Sequence, residues 1–188
     1  LAGSQQQAKP AFSPDAIGQF AKQVEKYAAT AGARAFIIAR LGQSQSALPK
    51  GIQFTHTAIA VYSEIRLTSN ETVLGYAIYN LYQDDKKKDR SHLFTDYPVD
   101  FFWGVHELKA GIIIPSPKLQ RRLIQAIATG QNQALHNPKY SLIANPFNNK
   151  YQNCTEHTLN LINAAIYQTT DMARLKDVTP TYFTPHPV

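Results

Sequence analysis

Apolar residues recur along this chain with two different periods. Ile17, Phe20, Val24, Tyr27 and Ala31 follow one another at helical spacing. Ser13 can cap that helix, Pro14 fits its first turn and Asp15 suits the positive end of its dipole. Gly32 can end it. Ser116 and Pro117 open a second helix in the same way, running to about Thr129 with Gly130 beyond it. A third helix runs from Cys154 to about Gln168, with Leu159, Ile162, Ala165 and Ile166 on one face. Between the helices the pattern changes to β-branched and aromatic runs. Residues 34–40 (RAFIIAR), 54–66 (FTHTAIAVYSEIR) and 73–83 (VLGYAIYNLYQ) read as strands, the last two forming a hairpin with its turn in residues 67–71. Residues 111–114 and 140–144 read as shorter strands. Residues 91–105 are aromatic and irregular, with a short helix expected after Pro98. The tail carries Pro180, Pro185 and Pro187 and reads as an extended strap. The elements add up to an α+β fold in which an antiparallel sheet carries packed helices.

Composition narrows the class. The chain has 188 residues, 44% of them apolar and 17% charged, which suits one globular domain with its own core and excludes a disordered chain. The expected division is a loose Gln/Ala-rich leader over residues 1–12 and a single domain over 13–188. The first residue is Leu1, and the leader reads as the start left by a removed secretory signal. On that reading the expected location is the periplasm or outside the cell. The longest apolar runs are too short to cross a bilayer. One cysteine excludes an intrachain disulfide and a multi-cysteine metal site. No glycine-rich phosphate loop is present. The net charge of +6 favours anionic surroundings. The only dense basic run, Lys86–Lys88 with Arg90, is interleaved with Asp84, Asp85 and Asp89 and reads as a solvated loop, so nucleic acid is not an expected partner.

The chemistry concentrates at Cys154. Asn153 stands where the helix cap belongs and Glu156 follows three residues later, matching a capping box. Cys154 is then the first helical residue, where free backbone N–H groups and the dipole stabilise a thiolate. A thiolate at neutral pH needs a base. His56 lies within a strand. His157 lies one turn along the same helix and reads as a surface residue. His92, His106, His136 and His186 lie in loop-like sequence.

Four strings, Arg40-Leu41-Gly42-Gln43, Phe54-Thr55-His56-Thr57-Ala58, Tyr79-Asn80-Leu81-Tyr82 and Tyr151-Gln152-Asn153-Cys154-Thr155-Glu156, resemble the bacterial domain of unknown function numbered 2145. The likeness extends from about Arg34 to Pro185. That family in turn resembles the papain-like superfamily of NlpC-type cell-wall cysteine peptidases, in its circularly permuted branch where a strand histidine precedes the helix cysteine. Lecithin retinol acyltransferase and related lipid hydrolases share that order. The resemblance implies a papain-like fold with Cys154 as nucleophile at the start of a central helix and His56 as general base.

A third polar residue from the neighbouring strand would orient the imidazole. Asn80, Gln83 and Asp84 are the candidates. Asn80 faces His56 if the hairpin turn centres on Thr68, and Asp84 does if it centres on Asn70; Asn80 is chosen because it lies within the resembling string. The backbone N–H of Cys154 is the first candidate for an oxyanion hole, with Gln43 or Gln152 as side-chain donors. The expected activity is that of a cysteine hydrolase or acyltransferase on an amide or ester, with no cofactor or metal. Its substrate would be a cell-wall peptide, a peptidoglycan fragment or a lipid-linked acyl group, and Phe101, Phe102 and Trp103 could line its pocket. The alternative is a non-enzymatic cell-envelope binding module on the same scaffold.

Overall fold

The structure, a computed structural model, describes residues 9–184. Most of the expected leader, together with Pro185, His186 and Pro187, lies outside the described residues. The strands run β1 (Ala35–Arg40), β2 (His56–Arg66), β3 (Thr72–Gln83), β4 (Ser91–Asp96) and β5 (Ala110–Ile113). They form one antiparallel sheet in the order β4-β3-β2-β1-β5. The helices are α1 (Pro14–Thr30), α2 (Pro98–Phe102), α3 (Pro117–Ala128), α4 (Gln131–Ala134), α5 (Cys154–Tyr167) and α6 (Met172–Tyr182). Among the described residues no helix is long and apolar enough to cross a membrane.

Helices cover both faces of the sheet, which is why its central strands read as near-continuous apolar runs. Phe36, Ile38, Ala58, Ala60, Tyr76 and Ile78 point to one face and pack on Ile17, Ala21, Val24 and Ala28 of α1 and on Phe101 and Phe102 of α2. Ala35, Ile59 and Val61 point to the other and pack on Leu123 of α3, Leu161, Ala164 and Ala165 of α5 and Leu175 of α6. The two sets alternate along each strand, as a period of two requires. A polar clamp fixes α3 to the sheet: Gln120 Oε1 accepts from the backbone N–H groups of Arg34 (2.7 Å) and Ala35 (3.2 Å). On the edge strand, Gly111 leaves room for a neighbour. A Cβ there would meet the Phe54 ring at 2.9 Å and Ala39 Cβ at 3.1 Å.

The expected caps form. Ser13 Oγ accepts from Ala16 N–H at 3.2 Å, Ser116 Oγ from Leu119 N–H at 3.3 Å, and Asn153 Oδ1 from Glu156 N–H at 2.9 Å. Gly32 and Gly130 take the positive φ values, +69° and +81°, that end or join helices at low cost.

Several expectations are corrected. The stretch from residue 91 holds a regular strand, β4, before the short helix α2. The expected strand at 140–144 reduces to one bridge, Tyr140 with Gln152. The expected strap after α5 is instead helix α6. Asp171 caps it, accepting from Ala173 N–H at 3.0 Å, and Pro180 sits in its last turn, where it withholds only the one N–H that would reach back to the Lys176 carbonyl. The buried stripe of α1 runs through Ala21 and Ala28, leaving Tyr27 61% exposed. On α5 the expected Ala165 and Ile162 do pack on the core, joined by Leu161 and Ala164, while Ile166 is 40% exposed. That helix also buries Glu156 and Asn160, which both meet Lys176 of α6 (2.5 and 3.1 Å), so its inward surface is part polar.

Candidate active site

Of the candidate site residues, His56 and Asn80 meet at the end of the sheet where β1 stops and β2 begins. Arg40 and His56 are cross-strand partners there. The β2–β3 hairpin pairs Arg66 with Thr72 and Ile59 with Tyr79, so the turn centres on Ser69. This lies midway between the two registers considered from the sequence. Continued along the strands, it sets Tyr82 opposite His56 and places Asn80 one step along on the same face. The two rings stack with centroids 5.0 Å apart and planes 15° from parallel.

A chain of buried hydrogen bonds starts at the imidazole. His56 Nε2 lies 2.8 Å from Asn80 Oδ1. Asn80 Nδ2 donates to Asp96 Oδ1 at 2.8 Å and to the Ile78 carbonyl at 3.1 Å. Tyr82 OH donates to Asp96 Oδ2 at 2.7 Å. Arg40 donates to the Phe101 carbonyl, and its guanidinium lies 5.0 Å from the Phe101 ring centroid and 5.5 Å from that of Tyr82. His56, Asn80, Tyr82, Asp96 and Arg40 are all at most 2% exposed.

This network assigns the protons. A carboxylate and a carbonyl only accept, so the end of the Asn80 amide facing them must be the NH2 group. Its oxygen therefore faces His56, and Nε2 must carry the hydrogen. Nδ1 is left with a bare lone pair, and it is buried with no hydrogen-bond partner. Burial, and then the positive charge of Arg40, hold His56 well below the usual imidazole range, while the bond to Asn80 acts in the opposite direction. Burial lifts Asp96 to about 6 against the bonds from Tyr82 and Asn80 and the charge of Arg40.

Of the three orienting candidates, Asn80 is the one that meets His56. The Gln83 side chain donates to the Lys88 carbonyl at 2.7 Å, and Asp84 Oδ1 accepts from Lys86 and Lys87 N–H in the following turn.

Cys154 is the first residue of α5, is 5% exposed and has its Sγ 3.9 Å from Thr155 Oγ1. It is not hydrogen-bonded to His56. Strand alternation sends the His56 side chain toward α2, with the Phe101 ring 5.7 Å away, and the Thr57 side chain toward α5, where Oγ1 lies 3.5 Å from Thr158 Oγ1. Asn80 and His56 are thus brought together, and the sulfur stands outside their hydrogen-bonded chain.

The oxyanion candidates separate. Gln152 is engaged at both ends of its amide: Oε1 accepts from Asn137 N–H at 2.9 Å and Nε2 donates to the Leu135 carbonyl at 3.0 Å. Gln43 keeps a buried Nε2 without a partner, in the loop where Gly42 N–H donates to Thr55 Oγ1 at 2.8 Å. His157 is not a surface residue. It is 3% exposed, its Nε2 lies 2.8 Å from Asn132 Oδ1, and burial with the nearby His136 lowers it to about 3. Phe101 and Phe102 are core, and Phe101 doubles as a wall beside His56.

Arg40, Tyr82 and Asp96 were not singled out from the sequence. Arg40 and Tyr82 lie inside the strings that carry the resemblance, which was a usable signal. Asp96 was hidden in a stretch that did not read as a strand. Among the described residues, no three His, Cys, Asp or Glu side chains are grouped to hold a metal ion.

A family model described as "Uncharacterized protein conserved in bacteria (DUF2145)" matches residues 27–188. The chain belongs to that family. No curated protein and no solved structure matches it.

Proposed function

We propose that the protein is a papain-like cysteine hydrolase or acyltransferase of circularly permuted order, working at the cell envelope on an amide or ester. Its substrate class is a cell-wall peptide or a lipid-linked acyl group. The observation that carries this reading is the His56 imidazole, whose Nε2–H is held by Asn80 and whose Nδ1 lone pair is buried and unpaired. A cysteine protease base needs that polarity, with an amide oxygen behind the ring and a lone pair in front. Cys154 supplies a thiol at a capped helix start.

In this scheme the Sγ proton passes to His56 Nδ1 and the sulfur attacks the substrate carbonyl carbon. The oxyanion is met by the Cys154 N–H and Gln43 Nε2. Collapse breaks the carbonyl bond to the leaving group, which takes the proton from Nδ1. Water or another acceptor then attacks the thioester, giving its proton to Nδ1 and releasing the sulfur. The scheme requires ring and sulfur to meet in the reacting complex.

The second reading is a binding module on the same scaffold. It is favoured by the placement of Cys154 outside the hydrogen-bonded chain of His56. Iodoacetamide labelling separates the two. A dyad gives fast labelling of Cys154 near neutral pH that falls about 100-fold in His56→Ala, the scale of a lost general base. Equal rates in both proteins would leave the binding module. Peptidoglycan fragments and acyl esters, with Cys154→Ser as control, then sort the substrate class.

A further inference from the structure

We infer that Asp96 is a positioning residue that fixes both the tautomer and the plane of the His56 imidazole. One carboxylate makes two bonds that end on the same ring. Through Oδ1 it accepts from Asn80 Nδ2 at 2.8 Å and so turns the amide oxygen toward His56 Nε2. Through Oδ2 it accepts from Tyr82 OH at 2.7 Å and so anchors the ring stacked 5.0 Å from the imidazole. With the carboxylate gone, the Asn80 amide keeps only the Ile78 carbonyl, 3.1 Å away within its own strand, to hold its orientation. A flipped amide would offer N–H to Nε2, and the proton of a neutral ring would move to Nδ1. The lone pair would then be on the wrong nitrogen.

Charge is the other property that a change at Asp96 would remove. Arg40, facing the same rings from β1, opposes a positive charge on His56, and Asp96 is the anion that the hydrogen-bonded chain brings to it. Asp100 of α2 is also near enough to act on Asp96. No bond joins it to Asn80, however, so it provides a control for loss of charge alone.

The consequence for catalysis rests on the cysteine hydrolase reading, but the tautomer itself does not. The test is two-bond proton–nitrogen correlation NMR of ¹⁵N-histidine-labelled protein, with His56 assigned by His56→Gln. In the unmodified protein His56 should show a protonated Nε2 and an unprotonated Nδ1. In Asp96→Asn and Asp96→Ala a protonated-Nδ1 component should appear, or the two nitrogen signals should average. Asp100→Asn should leave the pattern unchanged. Should the Asp96 variants not fold, Tyr82→Phe, which keeps the stack and removes one bond to the carboxylate, should still broaden the His56 signals. An unaltered single tautomer in all the folded Asp96 and Tyr82 variants would overturn the inference. Cys154 labelling in the same variants reads the other question. If it falls about tenfold in Asp96→Asn while His56→Ala also slows it, carboxylate and ring serve the sulfur. If the tautomer shifts but labelling is insensitive even to His56→Ala, the positioning role stands and the hydrolase reading falls.

Discussion

Among the described residues, two imidazoles are buried behind the same first partner. His56 and His157 each meet an asparagine Oδ1 through Nε2 at 2.8 Å, and each keeps a buried Nδ1 with no hydrogen-bond partner. What lies behind and beside each pair differs. His56 stands on a strand, and its asparagine is bonded to a carboxylate that also holds Tyr82. His157 stands on α5, its asparagine belongs to the short helix α4, and the charged neighbour acting on it is another imidazole, His136. A neighbouring cation opposes protonation of each ring, Arg40 at His56 and His136 at His157, so the difference lies in the carboxylate bonded behind Asn80. The same first contact thus stands in two different settings, and if the proposed hydrolase reading holds, the second contact separates a pin between two helices from a proton acceptor.

The sharpest way to break this comparison is to remove each ring in turn. The 100-fold loss of Cys154 labelling expected for His56→Ala should be absent in His157→Ala, which should stay within about threefold of the parent. The reverse order would transfer the base to α5, one turn from the sulfur. Stability should divide differently. Asn132→Ala strands a buried imidazole N–H, a loss of about 2 kcal/mol in urea titrations, without touching the labelling rate. Asn80→Ala should cost a similar amount and slow labelling as well. Equal slowing by both would erase the distinction.

Acid titration sharpens it further. Burial holds both rings neutral in the folded state, His157 down to about 3 from 6.5. Below about pH 6.5 the unfolded chain takes up protons that the folded one refuses, so this contribution is complete above 6.5 and falls away toward 3. Asp96 and Glu156 act in the opposite sense. Burial raises them to about 6 and about 7, so their folded carboxyls retain protons that unfolded ones release, and stability drops as pH rises from about 4 through 7. His157→Gln should therefore flatten the acid limb of a stability–pH curve and leave the neutral limb in place. An acid limb as steep as the parent's would mean that His157 is not neutral in the fold. The smallest effect belongs to Tyr82→Phe, where one bond to Asp96 is lost, about 1 kcal/mol by thermal melting.

Much of the scaffold was legible because its signals are local. Ser13, Ser116 and Asn153 act within one turn, and the hairpin strands carry their own β-branched pattern. β4 was not legible, because Phe94, Tyr97 and the two phenylalanines that follow blur the step from strand to helix. The lining of the two-sided sheet was hard to read for another reason. Helices on both faces bury both parities, so alternation gives no inner side, and on which face of β2 His56 lies could not be taken from periodicity. The hairpin register needed the turn itself: Asn70 adopts φ +65° and Leu67 N–H donates to the Glu71 carbonyl at 2.8 Å, which centres the turn one residue from either expectation. Asp96 escaped because its role exists only once β4 lies beside β3. The link from Glu156 and Asn160 to Lys176 likewise needed α6 in place.

The edge strand holds a consequence of its own. Gly111 is the spot where a missing side chain lets the Phe54 ring settle, within reach of the Lys109 ammonium at 5.1 Å. An alanine there would have to push that ring aside and crowd Ala39 Cβ, and the ring belongs to the segment that leads into His56. Saturation mutagenesis scored by thiol reactivity should therefore flag position 111 as a hit, on an edge strand outside the hydrogen-bonded chain of His56 and with no functional group of its own.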